Sequence, residues 1–194
     1  MGLILASGSS IRQEMLEAAG VSFTVERPDV DEAAIKAAHQ GDMAELPSLL
    51  ATAKAQIVSA ERPGDWVIGS DSMVFCDGRA FDKPKDRNAA ADHLRFFSGK
   101  SLILASSVTL VHNGKVDWAA ADQAILYVRP LSDAFIADYL DREWPQVSYC
   151  VGVFRMEGPG VTLFDRVEGS HFTILGMPLL PLLGALRSRG LMLA

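Results

Sequence analysis

Short apolar runs and amphipathic segments alternate along the chain of 194 residues. The run from Leu3 to Ala6 predicts a buried strand, and the small polar loop after it leads into a helix whose apolar positions share one face and which ends at Gly20. A second buried strand is predicted from Trp66 to Ser70. A strand, a loop and a helix in this order indicate a crossover unit.

The rest of the chain predicts further helices and a hairpin. Asn113-Gly114, the strongest short-range hairpin dipeptide, separates two strand patterns, and Asp77-Gly78 is a second turn signal. We expect the stretch between the last two helices to be rich in strands. Crossover units together with a hairpin predict an α/β protein with a mixed sheet. The remaining predicted helices cover 31–40, 45–59, 87–97, 132–141 and 177–189, and the hairpin strands cover 102–112 and 115–128.

Composition and charge narrow the class of protein. The length fits one domain over residues 1–194, or two small lobes that share a sheet. The net charge is −6 without a stripe of Lys or Arg, so we expect no nucleic acid polymer as a partner. No apolar segment reaches the roughly 18 residues of a membrane span, and we expect a cytoplasmic protein. Cys76 and Cys150 are too few for a disulfide scaffold.

Small residues follow the first predicted strand. In the segment from Ser7 to Ser10, backbone N–H groups can approach a phosphate at the start of a helix, and Arg12 adds a guanidinium. An ordinary helix-capping loop has the same composition. The segment alone therefore allows either a phosphate site or a cap.

Asp71 directly follows the apolar run of the second predicted strand. We expect it at the end of that strand, where open α/β sheets place their ligand chemistry. A carboxylate there can hold a divalent cation or take a proton from water. An Asp that caps the following turn fits the sequence equally well.

Four other charged residues could contact a ligand. Lys54 lies on an otherwise apolar or small-residue helix, so it points either to solvent or to a ligand. Lys83 is held extended by Pro84, which also suits a solvated loop. Glu32 falls in the first turn of its predicted helix, where the dipole favours a carboxylate whatever its function. Glu157 stands beside a Gly-Pro-Gly turn and could accept hydrogen bonds from N1–H and N2–H₂ of guanine.

Taken in order, these segments resemble the motifs of the Maf family of nucleoside triphosphate pyrophosphatases. LASGSSIRQEML is similar to the family's LASxSPRRxELL, DVDE to its VDE element and LATAKAQIV to LAxxKAxxV. VIGSDSMV matches VIGxDxxV, and GRAFDKP matches GxxxxKP. YLDREW, CVGVFRMEG and VEGSHFTILGMPL continue the pattern, and the last is close to EGxxxxxxGLPL. The resemblance covers nearly the whole chain.

The resemblance implies cleavage of a nucleoside triphosphate between its α and β phosphates, with Mg²⁺ or Mn²⁺ and with Asp71 as the catalytic carboxylate. It implies an elongated mixed sheet flanked by helical lobes, with the nucleotide in a central cleft, and frequently a homodimer. The other implied roles are triphosphate binding by Ser7, Ser9, Arg12, Lys54 and Lys83, and a metal ion held by Glu32 and Asp71.

Three positions that set substrate choice in the family carry Ile11, Ser72 and Glu157 here, where the dTTP/UTP branch has Arg, Thr and Gln. The apolar residue and the Glu are more similar to the 7-methyl-GTP branch. A carboxylate suits guanine and the positive charge of its methylated ring, although Ile11 replaces the large aromatic residue of that branch. The sequence favours 7-methyl-GTP, with a dTTP/UTP pyrophosphatase or a non-catalytic nucleotide-binding regulator of cell division as the alternatives.

Overall fold

The computed structural model describes residues 2–193 and has a mixed α/β fold, as predicted. The described chain divides into two compact units. Unit 1 comprises the described residues up to Ser72, residues 105–122 and the described residues from Ser170 onward. Unit 2 comprises residues 73–104 and 123–169.

Among the described residues, seven strands form the sheet: β1 (Leu3–Ala6), β2 (Thr24–Glu26), β3 (Trp66–Cys76), β4 (Arg79–Phe81), β5 (Ser101–His112), β6 (Lys115–Val128) and β7 (Phe164–Glu168). Their order is β2-β1-β3-β5-β6-β7, and β4 pairs with β3. β1 is parallel to both β2 and β3, whereas the β3–β4 and β6–β7 pairs are antiparallel. The mixed sheet is therefore confirmed.

The α-helices of residues 2–193 are α1 (Ser10–Ala18), α2 (Glu32–Ala38), α3 (Leu46–Glu61), α4 (Arg87–Phe97), α5 (Asp133–Glu143), α6 (His171–Ile174) and α7 (Leu179–Ser188). Each predicted helix is present, and α4 begins and ends at the predicted residues. Asp86 explains where α4 starts, because its carboxylate accepts a hydrogen bond from the N–H of Ala89. Within the described chain, no helix is long and apolar enough to cross a membrane.

Both predicted turns are present. Asn113 and Gly114 have φ values of 50° and 74°, and Asp77 and Gly78 have 50° and 71°. Positive φ at both central residues is what a type I′ hairpin turn requires. The two dipeptides therefore connect β5 to β6 and β3 to β4 as tight hairpins.

One expectation was wrong. The stretch between α5 and α7 is not rich in strands: its described residues contain β7, the short helix α6 and 3₁₀ turns at Gln146–Tyr149 and Pro159–Leu163. Pro145 and Pro159 lack the N–H that a strand ladder needs, and the glycines near them favour turns. The short strand β2 was in turn not foreseen.

The core of unit 1 explains why β1 is apolar at every position. Leu3 and Leu5 pack in a cluster with residues of α1 and α7, including Leu16 and Leu182. Ile4 and Ala6 pack in a second cluster with Ala55 and Val58 of α3. Successive strand residues face opposite sides of a sheet, so helices cover both faces of β1. This arrangement fixes α3, with Lys54 on it, against the sheet.

Candidate active site

Helix α3 lies directly against β3 at Gly69. A Cβ atom at Gly69 would lie 2.0 Å from the carbonyl oxygen of Ala51 and 2.9 Å from the Cβ of Ala55. Only glycine therefore allows the helix to come this close. The close approach brings Lys54 of α3 to Asp71, two residues beyond Gly69.

Lys54, Asp71 and Glu32 form what we call the acid–lysine cluster. The Nζ atom of Lys54 lies 2.5 Å from Oδ1 of Asp71 and 2.7 Å from Oε1 of Glu32. The side chains of Lys54 and Asp71 are only 11% and 10% exposed, whereas that of Glu32 is 43% exposed. Lys54 thus turns inward, and the first-turn carboxylate of α2 reaches the same ammonium group.

Two carboxylates that share one cation also provide the ligands that a divalent metal ion prefers. The ammonium group shows that Asp71 and Glu32 can converge on a single positive charge. In residues 2–193, no group of three or more His, Cys, Asp or Glu side chains is arranged to hold a metal. Mg²⁺ often uses only one or two carboxylates and completes its shell with water and substrate phosphates. The two carboxylates fit that kind of site.

Asp71 does not end its strand, contrary to expectation. β3 continues to Cys76 because residues beyond Asp71 pair with β4, with Val74 opposite Phe81. The parallel neighbour β1, however, stops at Ala6, which pairs with Gly69. Asp71 therefore lies two residues beyond the carboxyl end of β1. The expected position at the end of a strand thus holds for β1 and not for β3.

Arg12 is buried and held at three points. Its Nε donates to the carbonyl oxygen of Gly176 at 3.0 Å, its Nη1 to the hydroxyl of Ser7 at 3.3 Å, and its Nη2 to the hydroxyl of Ser72 at 3.2 Å. Burial lowers the pKa of Arg12, while the negative charges of Asp71 and Glu32 act in the opposite direction. A guanidinium has five N–H donors, so those left over on the Nη atoms are available for an anionic ligand.

The loop before α1 is not an ordinary helix cap. Ser9 occupies the N-cap position, yet its side chain accepts no capping hydrogen bond, and the first turn of α1 contains no acidic residue. The N–H of Ser9 instead donates to the hydroxyl of Ser7 at 3.2 Å. The positive end of the helix dipole therefore has no negative side chain of its own helix beside it, which favours an anion there.

Sequence reasoning missed the roles of Gly176 and Ser70. Gly176 has φ +101°, and a Cβ there would lie 3.1 Å from the hydroxyl of Ser72. Its carbonyl oxygen also accepts from the buried hydroxyl of Ser70 at 3.1 Å. Gly69 had a local signal, since a lone glycine in a strand pattern indicates close approach. Gly176 lies in the motif VEGSHFTILGMPL, but no local pattern connects it to Arg12, which is 164 residues away.

Two predicted site residues belong to unit 2. Lys83 and Glu157 are exposed, and neither has a hydrogen-bond or ion-pair partner within residues 2–193. Both are close enough to Cys150 to affect it. Burial raises the pKa of Cys150 to about 11; the charge of Glu157 adds to this rise, and the charges of Arg155 and Lys83 oppose it.

The predicted site residues thus form two groups. The first group lies in unit 1 and contains the acid–lysine cluster and, next to it in the chain, Ser72, which hydrogen bonds connect through Arg12 to Ser7. Ser9 directly precedes α1, and Ile11 is a partly exposed residue of α1. Lys83 and Glu157 share an environment around Cys150 in unit 2.

Comparisons with known proteins agree with these motifs. The family described as Maf-like protein matches residues 2–189. A nucleoside triphosphate pyrophosphatase of Sphingopyxis alaskensis is 46% identical, over 98% of each chain. A 7-methyl-GTP pyrophosphatase of Rhizobium etli is 44% identical, over 97% of this chain and 96% of the relative.

A solved nucleoside-triphosphatase, or dITP/XTP pyrophosphatase, of Mycobacterium abscessus is 17% identical and covers 68% of this chain and 76% of its own, with a TM-score of 0.39. No conclusion about this chain follows from a structural similarity this low. The family match and the two relatives, in contrast, extend over nearly the full length. The chain belongs to the Maf-like protein family.

Proposed function

We propose that this protein hydrolyses a nucleoside triphosphate between its α and β phosphates and releases a nucleoside monophosphate and pyrophosphate. The names of both relatives support this reaction. The observation that carries the proposal is the acid–lysine cluster, in which Asp71 and Glu32 share the ammonium of Lys54. Arg12 adds a second cation: it donates to Ser72, the chain neighbour of Asp71, and the charges of Asp71 and Glu32 act on it.

Asp71 is the group that handles the proton of the attacking water. Hydrolysis at the α phosphorus needs a water molecule aimed in line, a group to accept its proton and cations near the developing charge. Asp71 offers a carboxylate oxygen as the acceptor, and Lys54 orients that carboxylate through its 2.5 Å contact. The remaining Nη donors of Arg12 and the amides of Gly8 and Ser10 bind phosphate oxygens, since the amides of Ser7 and Ser9 already donate to Leu5 and Ser7.

Asp71 and Glu32 would also hold Mg²⁺ or Mn²⁺. A bound divalent cation supplies charge stabilisation on the phosphate oxygens and lowers the pKa of water. Ser7 and Ser9 contribute hydroxyl donors for the triphosphate, and Lys83 stays a predicted phosphate-binding residue.

Glu157 is the base-reading residue in this proposal, and 7-methyl-GTP is the favoured substrate. Glu157 is exposed, and no other described side chain uses its carboxylate, so both oxygens are free to accept from a guanine edge. The relative from Rhizobium etli, named for 7-methyl-GTP, supports this choice. Ile11 and Ser72 remain proposed specificity positions, and Ser72 already accepts a hydrogen bond from Arg12.

The test is turnover of 7-methyl-GTP, GTP, UTP and dTTP with Mg²⁺ or Mn²⁺, with all products separated. We expect nucleoside monophosphate and pyrophosphate in equal amounts, loss of turnover when a chelator is added, and the highest kcat/KM for 7-methyl-GTP. Release of nucleoside diphosphate and phosphate would refute the cleavage position. A preference for UTP or dTTP would refute the base assignment but keep the reaction. Tight nucleotide binding without turnover would favour a regulator. A cytoplasmic location and a homodimer stay predictions.

A further inference from the structure

Helix α5 of unit 2 holds a buried carboxylate that the proposed reaction does not use. The side chain of Glu143 is 3% exposed. Its two oxygens accept hydrogen bonds from Arg155, from Nε at 2.9 Å and from Nη2 at 3.0 Å. The paired, two-point geometry fixes the orientation of the guanidinium as well as its distance.

A second side chain of the same helix holds the same segment. Tyr139 lies one turn before Glu143, so both project from one face of α5. The hydroxyl of Tyr139, which is fully buried, donates to the carbonyl oxygen of Val153 at 2.9 Å. Val153 has φ +58°, a conformation that a β-branched residue adopts only when its surroundings impose it. Two contacts from α5 therefore fix the backbone at Val153 and the side chain at Arg155.

The segment fixed in this way, residues 153–158, contains Glu157. A Cβ at Gly158 would lie 3.4 Å from Nη2 of Arg155 and 3.8 Å from Oε2 of Glu143, so the ion pair lies against the backbone next to Glu157. The N–H of Gly158 also donates to the carbonyl oxygen of Arg155 at 3.2 Å. Glu157 itself is exposed and has no hydrogen-bond or ion-pair partner among residues 2–193. Its position is therefore set by the backbone on either side of it.

We propose that Glu143 and Tyr139 are positioning residues for base recognition, which act by holding segment 153–158 so that the carboxylate of Glu157 meets the base at a fixed place. The inference rests on the proposed role of Glu157. Glu143 is buried, while the side chain of Arg155 is 33% exposed. An ion pair with a buried member is often no more stabilising than an apolar pair of the same size, so stability alone does not account for Glu143 and Arg155. A requirement for a fixed geometry at the neighbouring Glu157 accounts for both Glu143 and Arg155.

The test compares Glu143→Gln, Tyr139→Phe and the milder Arg155→Lys with the parent protein. Asp138→Asn, which breaks an exposed ion pair with Arg142 on the same helix, is the matched control. We measure kcat and KM for 7-methyl-GTP and UTP, and the melting temperature of each variant. We expect Glu143→Gln to reduce the preference between the two bases on the order of tenfold through KM, with kcat nearly unchanged. Arg155→Lys keeps the charge but loses the two-point geometry, and we expect a smaller reduction.

A double variant separates positioning from general damage. If Glu143 acts through Glu157, Glu143→Gln has no further effect on base preference once Glu157→Gln is present. Equal effects of Glu143→Gln in both backgrounds, or a lower melting temperature with unchanged base preference, would overturn the inference.

Equilibrium binding of the two nucleotides without added metal allows the same comparison if turnover is absent. Absence of turnover with every nucleotide would then refute the proposed function, while binding preference still decides the role of Glu143. An absent binding preference in the parent protein would overturn the inference.

Discussion

The residues proposed to act on the phosphates and the residue proposed to read the base are held in opposite ways. In unit 1, Lys54 contacts both Asp71 and Glu32 directly, and Arg12 is buried with all three nitrogen atoms of its guanidinium bonded. In unit 2, Glu157 makes no hydrogen bond or ion pair with the described residues, and the bonds are made by its neighbours Val153 and Arg155. The first group keeps its geometry through mutual charge; the second leaves its carboxylate free for a ligand.

This difference has a physical reason. The phosphate chemistry is the same for every nucleotide, so the cations and carboxylates can be held in place before the substrate binds. Little free energy is then spent on reorganising them during the reaction. Base choice depends on hydrogen bonds that must be free until the ligand arrives. Substitutions in the acid–lysine cluster should therefore change the rate, and those at and around Glu157 should change the preference.

The largest effect is expected from Asp71→Asn. The amide keeps the size of the carboxylate but neither accepts the proton of water nor attracts a cation, so pyrophosphate release should fall by about a thousandfold or more. Asp77→Asn is a suitable control because Asn-Gly forms the same type of turn as Asp-Gly. Retained turnover in Asp71→Asn, measured as pyrophosphate release, would exclude Asp71 as the catalytic group.

A smaller but still large effect is expected from Gly69→Ala. The added Cβ would lie 2.0 Å from the carbonyl oxygen of Ala51, so α3 must move and carry Lys54 away from Asp71. We expect about a hundredfold lower kcat/KM and about 1–3 kcal/mol lower stability. Gly184→Ala, where the new Cβ has only one neighbour, 3.9 Å away, is the control. Normal rates in Gly69→Ala would show that the rate does not depend on this close packing.

Glu157→Gln should change base preference and leave the rate almost unaltered. Gln offers both a donor and an acceptor, which fits the O4 and N3–H edge of uracil, so the preference for 7-methyl-GTP over UTP should fall on the order of tenfold. Glu61→Gln, on an exposed residue of α3, controls for the loss of one negative charge. An equal fall in kcat for both nucleotides would show that Glu157 affects the rate, as the acid–lysine cluster does, rather than the base preference.

The smallest effect concerns His93 in unit 2, whose buried Nδ1 has no hydrogen-bond partner among the described residues. Its ring packs against Phe81 and Phe97, with centroids 5.1 Å and 5.9 Å away. Burial lowers the pKa of His93, although Asp92 and Asp82 act in the opposite direction.

Below a pH of about 6.5 the unfolded chain therefore binds the proton more readily than the folded chain, and the free energy of unfolding decreases as the pH is lowered. Urea unfolding at about pH 7.5 and about pH 5.5 should show a smaller loss in His93→Phe than in the parent protein. His171→Gln is the control, and an identical loss in all three proteins would exclude His93 as the cause.

Much of the fold could be predicted from the sequence because its signals are local. The extent of α4 follows from a capping aspartate and an apolar face, and the hairpin after β5 follows from one dipeptide. The stretch after α5 was predicted wrongly, because it is held by Tyr139 at the backbone of Val153 and by Glu143 at the side chain of Arg155 rather than by a strand ladder. Such contacts leave no periodic pattern.

The sequence by itself determined the family, the mixed α/β class and the candidate residues, because ordered motifs and hydrophobic periodicity are written along the chain. Only the tertiary structure decided that Lys54 points inward, that Asp71 lies beyond β1 and inside β3, and that Arg12 bonds to Gly176, which is 164 residues away. Periodicity specifies which face of an element is buried, but the partner that covers that face depends on packing between distant segments. At Gly69 that packing depends on the absence of a side chain, which produces no periodic pattern.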